Sequence, residues 1–321
     1  MKTGRKWKVW AFITVLCLLC LTGCGEPADQ SNEEMPEELQ LPGEPMEITT
    51  ELETDSESEE GAECGILLIN PEGMTLQTRI LTPEGYSRVS AEAGSLIEFL
   101  REYPLKEDGS PVLLYDGSEK GNQSAHQAVL TLPIEAVDLQ QCADSVMRIY
   151  AEYYYQTGQP EKIEFHFTNG FLAEYVRWRD GERIRVDGNQ VQWVQSAARD
   201  DSYESFVEYL RMVFCYAGTL SMEAESEEID CSQMRVGDVF LKGGSPGHVV
   251  MVIDICENEA GQRAFLLGQG YMPAQEFHVL KNPQHEEDCW YYEEEITYPF
   301  HTPEYTFQQG SCRRLDYSCE Q

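Results

Sequence analysis

Three side chains in this chain have the types and settings that nucleophilic attack on a carbonyl needs. Cys142 lies in Asp138-Leu139-Gln140-Gln141-Cys142-Ala143-Asp144, in the first turn of a helix expected from Leu139 to about Tyr155. There the unpaired backbone N–H groups and the helix dipole favour a thiolate. His248 follows the glycine-rich turn Gly243-Gly244-Ser245-Pro246-Gly247 and heads the apolar run Val249 to Ile253. A histidine at the mouth of an apolar strand is held rigidly while its ring stays reachable. Gln269, in Leu266-Leu267-Gly268-Gln269-Gly270-Tyr271, falls on the strand expected beside it. Its amide oxygen is suited to accept the proton of the far ring nitrogen and so hold the tautomer. A nearby imidazole would activate the thiol. Gln140 or Gln141, with the amide of Cys142, would donate to a developing oxyanion. Asp138 and Asp144 pull the other way, because negative charge beside a thiol opposes thiolate formation.

Duller roles fit the same residues. Cys142 stands four residues before Val146 and seven before Ile149, on the apolar face of its helix, as a buried structural thiol would. His248 would also satisfy a turn carbonyl, and Asp238 a turn backbone. The glycine-rich turn lacks the lysine and the helix of a phosphate-binding loop. His278, His285 and the acids at 286–288 match no standard metal spacing, and there is no C-x-x-C, so neither metal nor cofactor is expected. Trp290-Tyr291-Tyr292 reads as a sugar-stacking platform or as the closing edge of a core.

Several elements must position these groups. Ala91 to Tyr103 reads as a helix ended by Pro104. In the helix from Leu139, Asp138 with Gln141 fits a capping box, and Gly158 sits just past the end. Tyr203 to Tyr216 is a second helix, opened by Asp200, Asp201 and Ser202. Strands are expected at 163–167, 238–242, 248–255, 264–269 and 276–280, with a hairpin turn at Asp187-Gly188. Helices first and antiparallel strands later predict an α+β domain.

The segments 142–154, 237–254 and 264–271 resemble, in order and type, the papain-like cysteine hydrolases of the NlpC and CHAP types. The resemblance implies helices packed on a mainly antiparallel sheet, catalysis by Cys142, His248 and Gln269, and a cell-wall peptide substrate. The gap from Cys142 to His248 is longer than those families use. An alternative alignment pairs His248 with the 203–217 helix, where Ser202 or Tyr203 replaces the nucleophile and the domain is inactive. Asp138–Asp144, Tyr216–Ser221, Gly243–His248, Tyr271–Gln275 and Thr302-Pro303-Glu304 resemble an uncharacterised bacterial family, the domain of unknown function numbered forty-eight forty-six, over about residues 95 to 307. That likeness implies no activity.

The N-terminus predicts the compartment. Lys2, Arg5, Lys6 and Lys8 precede an apolar run from Val9 to about Leu21, and Leu21-Thr22-Gly23-Cys24 resembles the lipobox of bacterial lipoproteins. The expected organisation is a signal peptide over 1–23, lipidated Cys24 with a disordered acidic tether over 24–64, and one domain over 65–321. Residues 25–64 hold 15 acidic residues, no Lys or Arg, and no aromatic residue. Such a stretch buries too little surface to order itself. The expected location is outside the cytoplasm, anchored to the membrane through Cys24. The remaining 257 residues still carry 42 acids against 19 bases, which excludes nucleic acid as a partner. Of the eight cysteines beyond Cys24, Cys142, Cys215 and Cys256 read as buried thiols, and Cys312 with Cys319 as a candidate pair.

Overall fold

The strand His248–Asn258 organises the fold, because nine of its eleven residues are buried. A strand so continuously buried must be covered on both faces. Val239–Lys242 pairs with its first half and Arg263–Gln269 runs along its other edge. Tyr86–Arg88 pairs with its last residues. These belong to a nine-stranded antiparallel sheet. Its main order is His126–Val129, His278–Leu280, Arg263–Gln269, His248–Asn258, Val239–Lys242, Cys312–Leu315, Ser226–Glu228. The structure is a computed structural model and describes residues 68–317, all within one compact unit. The signal segment, Cys24 and the acidic tether lie outside the described residues, as does Cys319.

The strands expected at 163–167, 238–242, 248–255, 264–269 and 276–280 are present, as is the hairpin around Asp187-Gly188. The papain-like arrangement is not. Among the described residues only two helices exceed six residues, Cys142–Gln156 and Tyr203–Tyr216. The helix expected over Ala91–Tyr103 is reduced to Leu96–Arg101. The broad sheet, rather than a helical layer, dominates the molecule. The expected α+β, papain-like layering is thus replaced by a mainly antiparallel sheet, whose core residues pack with those of a few helices such as Val146, Ile149, Phe206 and Leu210.

A charge sits inside that sheet. Asp254 is fully buried and accepts hydrogen bonds from Arg88 Nε at 2.6 Å and Arg101 Nε at 2.8 Å. Those arginines belong to the Tyr86–Arg88 strand and the Leu96–Arg101 helix, so the pair ties the N-terminal elements to the central strand. A buried carboxylate needs such compensation.

The thiol assignments also change. Cys231 and Cys312 form a disulfide, so Cys312 is not available to Cys319. Cys256 and Cys289 are buried, Cys142 is partly exposed, and Cys215 is exposed on its helix. Trp290 and Tyr291 are buried, so the aromatic cluster closes a core edge and offers no open sugar platform.

Candidate active site

Two adjacent antiparallel strands in the interior of the sheet bring His248 and Gln269 to the same end, one at the start of its strand and the other at the end. His248 Nε2 lies 2.7 Å from Gln269 Oε1. The same amide lies 2.7 Å from Glu304 Oε2 and 3.3 Å from His278 Nε2 through its Nε2. Since the amide nitrogen has two acceptors, the amide oxygen faces the imidazole. An amide oxygen only accepts, so Nε2 of His248 carries the proton and Nδ1 keeps the lone pair. His278 is held in the same way: its Nδ1 is 2.9 Å from the carbonyl of Glu276, which leaves Nε2 as acceptor. Gln269 and His278 are direct cross-strand partners.

Behind this row lies a buried ion pair. Lys120 and Glu304 are in contact, and Asn122 Nδ2 donates to Glu304 Oε1 at 3.1 Å. Burial works against the Glu304 carboxyl, but its hydrogen-bonding neighbours, with the Lys120 ammonium among them, outweigh it and leave the group at about 2. The rings of Tyr271 and Tyr305 pack on His248 with centroids at 4.9 Å. Burial lowers the His248 pKa to about 4, with Gln269 and Glu304 opposing the shift. The ring is therefore neutral at ordinary pH.

Cys142 is the first residue of the Cys142–Gln156 helix, which starts three residues later than expected, and Gln141 is its N-cap. The shift has a local cause. Asp138 does not cap; its Oδ1 accepts from Ala274 N at 2.7 Å and from Gln141 Nε2 at 3.1 Å. Asp144 accepts from the Gln141 backbone N–H at 3.0 Å instead. The helix end rests on Gly270, where a Cβ would overlap Ser145 Oγ and stand 3.0 Å from the Gln141 carbonyl oxygen. Burial, then Asp144, pushes the Cys142 thiol up to about 11, although the backbone N–H groups of Ala143 and Val249 favour the thiolate. The amide of Val249 places the sulfur beside the residue that follows His248. No hydrogen bond between the sulfur and the imidazole is found among the described residues. A cavity of about 520 Å³ opens beside Cys142, lined also by Gln141, Asp144 and the Gly244–Gly247 turn.

The two glutamines differ in placement. Gln141 lines the cavity with its side chain tied to Asp138. Gln140 is buried, donating to Pro133 O at 3.1 Å and accepting from Arg148 at 3.5 Å, and it does not line the cavity. Ser202 caps its own helix, and the Tyr203 hydroxyl bonds Glu152 and Arg148, so neither lines the cavity. Asp238 accepts from the turn amide of Arg235 at 2.8 Å and from Arg314. His285 bonds Glu295, apart from His278, and the described residues hold no group of three such side chains able to bind a metal.

No local signal marks Lys120 and Glu304 as site residues. Thr302-Pro303-Glu304 is visible as a motif, but nothing in its spacing points to Gln269. The family model for the domain of unknown function (4846) matches residues 76–314. The chain belongs to this family. The match takes in Cys142, His248, Gln269, Glu304 and Lys120. No curated protein and no solved structure matches the chain.

Proposed function

We propose that this protein is an exported, lipid-anchored cysteine hydrolase that cleaves amide bonds in cell-wall peptides. The observation that carries the reading is the 2.7 Å contact between His248 Nε2 and Gln269 Oε1, which leaves Nδ1 as the basic nitrogen. With a neutral thiol and a neutral ring at rest, Nδ1 acts as general base at the moment of attack. The S–H proton passes to Nδ1 as sulfur bonds to the carbonyl carbon. Nδ1 then returns the proton to the departing amine as the C–N bond breaks. Water hydrolyses the thioester and restores the thiol. Backbone N–H groups at the start of the helix face the developing oxyanion. The lipobox at Leu21–Cys24 supports the anchor, and the disulfide fits an oxidising compartment.

A small thiol-directed electrophile tests this. It is expected to label Cys142 at least ~100-fold faster in the native protein than in the His248→Ala variant, the size of effect general-base assistance supplies. Equal rates would remove the hydrolase reading. One observation favours a second reading, a non-catalytic scaffold that binds an envelope partner: burial and Asp144 hold the thiol at about 11. On that reading Cys142→Ser leaves partner binding intact.

A further inference from the structure

The cavity beside Cys142 has a charge asymmetry that the proposed chemistry does not use. Two carboxylates, Asp138 and Asp144, contribute to its wall, and no Lys, Arg or His among the described residues does. Asp138 is exposed and holds the loop together through Ala274 and Gln141. Asp144 differs. It is 6% exposed, and only Oδ2 has a partner, the Gln141 amide. Its Oδ1 is buried with no hydrogen-bond partner. A buried carboxylate oxygen without a donor is costly and calls for an explanation. Burial raises this carboxyl to about 7, against the backbone N–H groups of Gln141 and of Asp144 itself. At the rim, Leu220 and Met272 are 51% and 61% exposed, an apolar border around an acidic wall.

We infer that this cavity binds a primary ammonium group carried on an aliphatic chain, with Asp144 as its charge partner. An ammonium supplies both the positive charge and the donor that Oδ1 lacks. The apolar rim takes the methylenes. The volume of about 520 Å³ has room for such a side chain together with part of the molecule that carries it. The assignment of this group to a substrate rests on Cys142 being the nucleophile; the cation preference of the cavity does not.

Three methanethiosulfonates test the preference through Cys142 itself: a trimethylammonium-ethyl and a sulfonatoethyl reagent of comparable size and opposite charge, and a small neutral methyl reagent. Rates are measured at pH 8.5 in a Cys215→Ser background by peptide mass spectrometry, each normalised to a free thiol. The cationic reagent is expected to exceed the anionic one by about tenfold or more. Asp144→Asn keeps an oxygen to accept the Gln141 amide, and it is expected to cut that ratio several-fold. Glu259→Gln, exposed just past the far end of the His248–Asn258 strand, controls for overall charge and should leave the ratio unchanged. In a second measurement on the unmutated site, lysine amide is expected to slow the neutral reagent, and norleucine amide is not. A ratio near one, a ratio insensitive to Asp144→Asn, or equal protection by the two amides would overturn the proposal. A charge preference that survives when His248→Ala leaves labelling unaltered would instead sink the hydrolase and keep the cation site.

Discussion

On the proposed mechanism the His248 ring nitrogen must be aimed before substrate arrives, and the groups that hold the ring are buried side chains. Gln269 orients His248, Glu304 orients Gln269, and Lys120 holds Glu304 charged. Lys120 and the Glu304 side chain are 7% and 9% exposed, so removing either leaves an unpaired charge. Lys120→Met is expected to cost about 3–5 kcal/mol of stability, and the double variant Lys120→Met/Glu304→Gln to recover most of it. Urea unfolding of the single and double variants measures the coupling; strict additivity would show that the pair is not a unit.

The strand ends and one helix end meet at Gly270. The Cys142–Gln156 helix packs against both site strands, and its first turn sits where any side chain at 270 would stand. Gly270→Ala is therefore expected to displace the helix start and lower the labelling rate of Cys142 by about tenfold or more, while far-ultraviolet circular dichroism stays close to native. An unchanged rate would mean that the close approach has no bearing on the thiol. Local rules place both strands, because Val249–Ile253 and Ala264–Leu267 are apolar runs bounded by glycine and polar residues. The same rules start the Cys142 helix three residues early, because Asp138 looks like a cap. Its carboxylate is spent on Ala274, a partner 136 residues away.

Across the whole molecule, two buried groups give stability opposite slopes with pH. His248 has its pKa lowered to about 4 from an ordinary value of about 6.5. The unfolded chain therefore binds its proton first, and stability falls as pH drops from about 6.5 to about 4. Asp144 is raised to about 7 from an ordinary value of about 3.9. The folded chain binds that proton more tightly, so stability falls as pH rises from about 4 to about 7. Each shift corresponds to roughly 3–4 kcal/mol. Chemical denaturation at pH 4.5 and pH 8 is expected to show His248→Gln gaining relative stability at the lower pH and Asp144→Asn at the higher. Parallel profiles for native and variant proteins would refute both assignments.

Read alone, the order of residues establishes the strong acidic charge, the antiparallel strands of the sheet centre, and the Cys142, His248 and Gln269 candidates, because periodicity and turn chemistry are local properties. It also carries a basic start, an apolar run that leads to Cys24 and the acidic segment after it. Packing in three dimensions sets the rest: how many strands share one sheet, that Cys231 rather than Cys319 joins Cys312, and that Lys120 and Glu304 meet although 184 residues separate them. These are long-range pairings. No local pattern encodes which distant carboxylate a buried amide will face, since that choice is made when the strands are brought together and every buried polar atom must find its partner.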